Sequence, residues 1–126
     1  MPSGPSDPSA SDAFWIADIL GTAALVETFV RDSSPSAFLT DAKTSFAVRY
    51  ALLSISEATR RLSSDLKARH PDIPWRGIAD LGNVYRHEYH RVSDAVVWRT
   101  ATDALRPLVE AMRSERSRSR ADPADP

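Results

Sequence analysis

The chain has 126 residues, 42% hydrophobic and 26% charged, with a formal net charge of −1, the composition of one globular domain. So small a net charge excludes nucleic-acid affinity carried by the field of the whole molecule, and any RNA contact must come from a local basic patch. The lack of cysteine excludes disulfides, thiolate metal sites and cysteine nucleophiles.

In chain order, residues 1–12 are mostly Pro, Ser, Gly and Asp, and "MPSGPSDPSASD" has neither a positive start nor an apolar signal core. With no uninterrupted run of about 18 apolar residues, a cytoplasmic protein that does not enter a membrane is expected. Residues 1–12 are read as a disordered tail because they hold too little apolar surface to offset the entropy of ordering.

The domain proper is expected over residues 13–113. In "FWIADILGTAALVETFV", Trp15, Ile16, Ile19, Leu20, Ala23, Val26, Phe29 and Val30 recur at helical spacing and form a broad apolar face. "SPSAF" predicts a short helical turn with a serine cap followed by proline. A long second helix is predicted from Asp41 to about Arg69, capped by Thr40, with Phe46, Leu53, Ile55, Ala58, Leu62 and Leu66 on its buried side. Pro71 and Pro74 in "HPDIPW" end it. A third helix follows, anchored by Trp75, Ile78, Ala79 and Leu81 and made less regular by Gly82. A last helix after Ser93 carries Val96, Val97, Ala101, Ala104, Leu105, Leu108 and Met112, with a kink expected at Pro107. The three tryptophans are read as core or dimer anchors. "SERSRSRADPADP" has no large apolar group, so residues 114–126 are read as a second disordered tail. No strand alternation and no repeat is present. The expected fold is an all-α, up-and-down bundle of four to five helices.

"NVYRHEYHRVSD", residues 83–94, concentrates the groups that can move protons or hold phosphate. Histidine titrates near neutral pH and suits general acid–base work. Asn83 and His87 stand four apart, so a continuous helix puts them on one face. His90 could join that face, while Arg86 points about 100° away from His87. Arg91 and His90 read as a phosphate-positioning edge, with a solvated basic edge as the plain alternative. Tyr85 and Tyr89 can equally be packing aromatics with wetted hydroxyls. Glu57 either orients groups beside this run or pairs with Arg60 or Arg61 along its own helix. No third ligand accompanies His87 and His90, and His70 sits in a proline loop, so neither a metal nor a cofactor is expected.

"ISEATRRLSSDLKARHPDIPWRGIADLGN", then "RHEY", then "VVW" at the start of the last helix make the chain resemble the HepT-like branch of the HEPN (higher eukaryotes and prokaryotes nucleotide-binding) superfamily, from about Phe14 to Met112. The resemblance implies a homodimer with its polar motif in a cleft between protomers. It implies a toxin acting as a metal-independent endoribonuclease on RNA, restrained by a minimal nucleotidyltransferase antitoxin that attaches AMP to a tyrosine. The family motif is an arginine, four to six residues, a histidine and, one residue later, a tyrosine. His87 and Tyr89 match it. Gly82 stands where the arginine belongs, with the following asparagine kept as Asn83. The implied roles are His87 as acid–base group, Asn83 as its support, Arg86 as an imperfect replacement cation and Tyr89 as the modified residue. The alternative is a catalytically degenerate module that pairs with the nucleotidyltransferase without cleaving RNA. If the missing cation limits turnover, Gly82→Arg is expected to raise activity.

Overall fold

The computed structural model describes residues 8–88 and 91–121, and all regular structure among them is helical. Seven α-helices follow in order: α1 (Pro8–Arg31), α2 (Pro35–Leu39), α3 (Ala42–Arg60), α4 (Ser64–Ala68), α5 (Trp75–His87), α6 (Asp94–Arg99) and α7 (Arg106–Ala121). A π-helical turn, Thr100–Ala104, joins α6 to α7. The all-α bundle expected from periodicity is what forms. α3 is its central element, with α1 on one side and α5 on the other, while α7 lies against α1 and α6 against α2.

The first helix buries the face its spacing predicts, with Ile16, Ile19, Ala23 and Val26 in the core and Trp15, Leu20, Phe29 and Val30 packed at its margin. Its segment Ser11–Arg31 is long and apolar enough to cross a membrane by length and composition. An expectation based on uninterrupted apolar runs overlooks it, and a core helix passes the same test. Ser34 caps α2 by accepting from the Ala37 amide at 3.2 Å, with Pro35 at the first helical position as expected.

Three differences from expectation have local causes. The cap of α3 is Asp41 rather than Thr40: its carboxylate accepts from the amide and hydroxyl of Thr44 at 3.1 and 2.6 Å. The long second helix stops at Arg60, because Ser63 starts a new one by accepting from the Leu66 amide at 3.1 Å. Ser63 is in turn gripped by Asp12, which accepts from its amide at 2.8 Å and its hydroxyl at 2.6 Å. Phe46 faces out, 58% exposed, since the neighbouring inward positions belong to Ser45 and Arg49, which bind Asp94.

Helices reach into both segments read as tails. α1 begins at Pro8, and Asp12 is buried in the grip on Ser63. α7 runs to Ala121, and Glu115 is buried where Arg69 donates to it from Nε at 3.1 Å and Nη2 at 2.8 Å. His70 Nε2 lies 2.6 Å from the same carboxylate. Hydrogen bonding by Arg69, reinforced by His70, holds the Glu115 carboxyl below the usual range. Asp12 of α1 and Glu115 of α7 are thus held as buried carboxylates, which an apolar-content argument does not register. At Pro107 the ring would collide with a preceding carbonyl. The strain is taken up by the π turn, in which the Leu105 amide donates to Thr100 O at 3.0 Å.

Candidate functional site

The helical bonding of α5 runs unbroken through Gly82 to His87, and the Glu88 amide closes the end by donating to Val84 O at 2.7 Å. Asn83 and His87 therefore share a face, as their spacing requires, and His87 stands exposed at the last position of the helix. Arg86 turns to Asn83 and to α3. Its Nη1 donates to Asn83 Oδ1 at 3.1 Å, and its Nη2 forms an ion pair with Glu57 on α3. The open choice for Glu57 is thus resolved across helices rather than along one. Arg60, the next turn of α3, donates from Nη1 to the same Asn83 oxygen at 3.4 Å. Two guanidiniums, one carboxylate and a carboxamide gather where α3 meets α5, one turn before the imidazole at the helix end.

Residues 19–115 match the family described as "Ribonuclease HepT-like". The chain belongs to that family. It is similar to "Probable ribonuclease HepT" of Thermococcus cleftensis, with 37% identity over 94 residues covering 75% of this chain and 86% of that one. It is also similar to "Putative RNase MJ1380" of Methanocaldococcus jannaschii, at 29% identity over 85 residues, 68% of this chain and 78% of the other. No solved structure gives a significant match.

In this HepT-like chain Gly82 sits where α5 packs tightly on α3. Gly82 is buried, and a Cβ there would strike Ser56 on α3, lying 2.8 Å from Ser56 Cβ and nearer still to its hydroxyl. That hydroxyl donates to Ile78 O at 2.8 Å, so it is held in the path of any side chain at 82. Close approach of α3 and α5 at this point brings Glu57 and Arg60 within reach of Asn83 and Arg86.

The segment after the histidine is tied to α3 by Arg49, a buried residue. It donates from Nη1 to Val92 O at 2.6 Å, from Nη2 to Asp94 Oδ1 at 2.7 Å and from Nε to Ser45 Oγ at 3.1 Å. Ser45 donates in turn to Asp94 Oδ1 at 2.9 Å. These bonds, Arg49 first, hold the Asp94 carboxyl below its ordinary range. Ser93 caps α6 by accepting from the Val96 amide at 3.2 Å.

Of the other residues singled out by sequence, Tyr89 and His90 lie outside the described residues. Arg91 is exposed and donates to Glu88 at 2.7 Å. Tyr85 is not a wetted phenol: its ring is buried in the core, its hydroxyl has no hydrogen-bond partner among the described residues, and burial pushes its pKa up to about 12. Trp75 pins the proline loop by donating to Lys67 O and His70 O at 3.2 and 3.0 Å, while Trp98 meets Phe38 in a tilted contact, 5.3 Å between ring centres. Arg49 is what a sequence reading passes over, and Arg60 is read there only as a possible partner of Glu57. Arg60 lies 23 residues from Asn83 in the chain, and the packing of α5 on α3, tight at Ser56 and Gly82, makes them neighbours.

Proposed function

We propose that the chain is the toxin of a toxin–antitoxin pair: a metal-independent endoribonuclease active as a homodimer and silenced by a minimal nucleotidyltransferase that adenylylates Tyr89. The observation that carries the reading is the exposed imidazole of His87 on one continuous helical face with Asn83, inside the stretch that matches the family. His87 takes the proton of a ribose 2′-hydroxyl. The 2′ oxygen bonds to phosphorus as the P–O5′ bond breaks, and the imidazolium returns a proton to O5′, directly or through water. The products are a 2′,3′-cyclic phosphate and a 5′-hydroxyl. Asn83 orients the phosphate beside the base.

The test is cleavage of single-stranded RNA by the purified protein and by His87→Ala, followed by gel analysis of the products. Cleavage by the first and its loss in the second is expected. Equal behaviour of the two overturns the reading.

A second copy has a surface to meet. Phe46, Tyr50 and Leu53 recur along one stripe of α3 that continues into Glu57 and Arg60, with Phe46 and Tyr50 58% and 72% exposed and Val84 of α5 40% exposed. Apolar surface continuous with a polar site favours a dimer closed over that site. Light scattering should give about twice the 13.9 kDa chain mass, and Tyr50→Glu should return it to the single-chain value by placing like charges across the two-fold axis. An unchanged mass in the variant would remove α3 from the interface.

Gly82 packed on Ser56 favours a second reading, the non-catalytic module. Such a module leaves RNA intact but still gains AMP on Tyr89, detected by peptide mass spectrometry, when produced with the nucleotidyltransferase.

A further inference from the structure

We infer that Arg60 of α3 supplies the cation that steadies the scissile phosphate of RNA, in place of the arginine absent at position 82. The inference rests on the ribonuclease reading above and extends it by a residue. The cluster holds two guanidiniums and one carboxylate, so one positive charge is left over. The pairing decides where that charge resides. Arg86 is engaged by Glu57 through Nη2 and by Asn83 through Nη1. Arg60 is exposed, touches Asn83 Oδ1 through Nη1 alone, and has no carboxylate at ion-pair distance among the described residues. Its remaining N–H groups are turned to solvent and can fork two phosphate oxygens.

The spacing along α5 suits the reaction. Asn83 and His87 stand four residues apart, about 6 Å along the axis. A cation docked on Asn83 therefore faces the same phosphodiester whose 2′-hydroxyl reaches the imidazole. As the 2′ oxygen bonds to phosphorus, charge builds on the two non-bridging oxygens, and a permanently charged donor already in place stabilises it without reorganisation. A side chain from α5 at position 82 would have to displace Ser56. Arg60, from α3, instead meets the next residue of α5, Asn83, at 3.4 Å.

The experiment compares the full-length protein with Arg60→Ala, Arg60→Lys and Arg61→Ala, using a labelled single-stranded RNA and its 2′-O-methyl analogue, which binds but lacks the nucleophile. Arg61 lies over the Trp15 ring, 5.3 Å from its centre, and controls for the loss of one positive charge from the same turn. Arg60→Ala should lower kcat by about 10²–10³-fold, with much smaller changes in KM and in affinity for the 2′-O-methyl RNA. Arg60→Lys should recover part of the rate, and Arg61→Ala should stay within about twofold of the unsubstituted protein. Unimpaired cleavage by Arg60→Ala overturns the assignment and leaves the ribonuclease reading standing. Equal losses in Arg60→Ala and Arg61→Ala, confined to KM, also overturn it, in favour of diffuse attraction for RNA. If the unsubstituted protein and His87→Ala both leave RNA intact, the ribonuclease reading falls and the role of Arg60 with it.

Discussion

Gly82→Arg is expected to destabilise the protein rather than restore a lost cation, reversing the expectation drawn from the motif alone. The first atom added is the obstacle. A Cβ at 82 would lie 2.8 Å from Ser56 Cβ, an atom fixed to the α3 backbone that no rotamer change can withdraw. α3 and α5 must separate, and Ser56 must give up its bond to Ile78 O. Overpacking of this kind costs about 1–3 kcal/mol, and a side chain as long as arginine in a buried position puts the variant at the upper end, near 3 kcal/mol. For a domain of this size that is a fall in Tm on the order of 10–20 °C, readable by thermal circular dichroism. Gly82→Ala separates the collision from the charge. An alanine should stabilise a helix interior by about 1 kcal/mol, so a net loss in that variant measures the contact itself. Ser56→Gly removes the opposing atoms, and Gly82→Ala with Ser56→Gly should regain stability relative to Gly82→Ala alone. A Gly82→Arg protein that melts unchanged and cleaves RNA faster would show that α3 and α5 part easily.

The same contact marks how far the sequence could be read. The α1 face, the Ser34–Pro35 start, the Pro71–Pro74 stop and the α6 cap at Ser93 rest on local chemistry, periodicity and capping, and they are legible for that reason. The break at Arg61–Ser63 was written locally too, as a serine followed by Ser64 and Asp65, but it is decided by Asp12, 51 residues away. The orientation of α3 around Phe46 depends on where the buried guanidinium of Arg49 finds its partners, and Val92 and Asp94 lie 43 and 45 residues off. At the site, the Asn83–His87 face follows from helical spacing, whereas the assignment of charges does not. Arg86 looks free in the sequence and is engaged by Glu57. Arg60 looks like the partner of Glu57 and stands beside Asn83 instead.

Arg49→Met should cost about 3 kcal/mol of stability, although the replacement keeps much of the side-chain volume. Truncating one member of a buried, hydrogen-bonded pair leaves the other without compensation. Here Val92 O loses its donor, and Asp94, only 28% exposed, keeps Ser45 alone. Acid should reveal which part of the loss is electrostatic. The Asp94 carboxyl is depressed in the folded protein, chiefly by the hydrogen bond from Arg49. Its contribution is therefore complete above the unfolded carboxyl value of about 3.9 and is lost as pH falls through the lower folded value. Glu115, depressed by Arg69 and then His70, titrates in both proteins and cancels from their difference. Urea unfolding midpoints of the two proteins should thus lie well apart at neutral pH and draw together in acid below the Asp94 transition. A gap that persists unchanged to the lowest pH would mean that the hydrogen bond to Val92 O, and not the ion pair, carries the loss. A closing gap means that the ion pair fastens the segment after His87, which leads into α6, to the helix that carries Arg60.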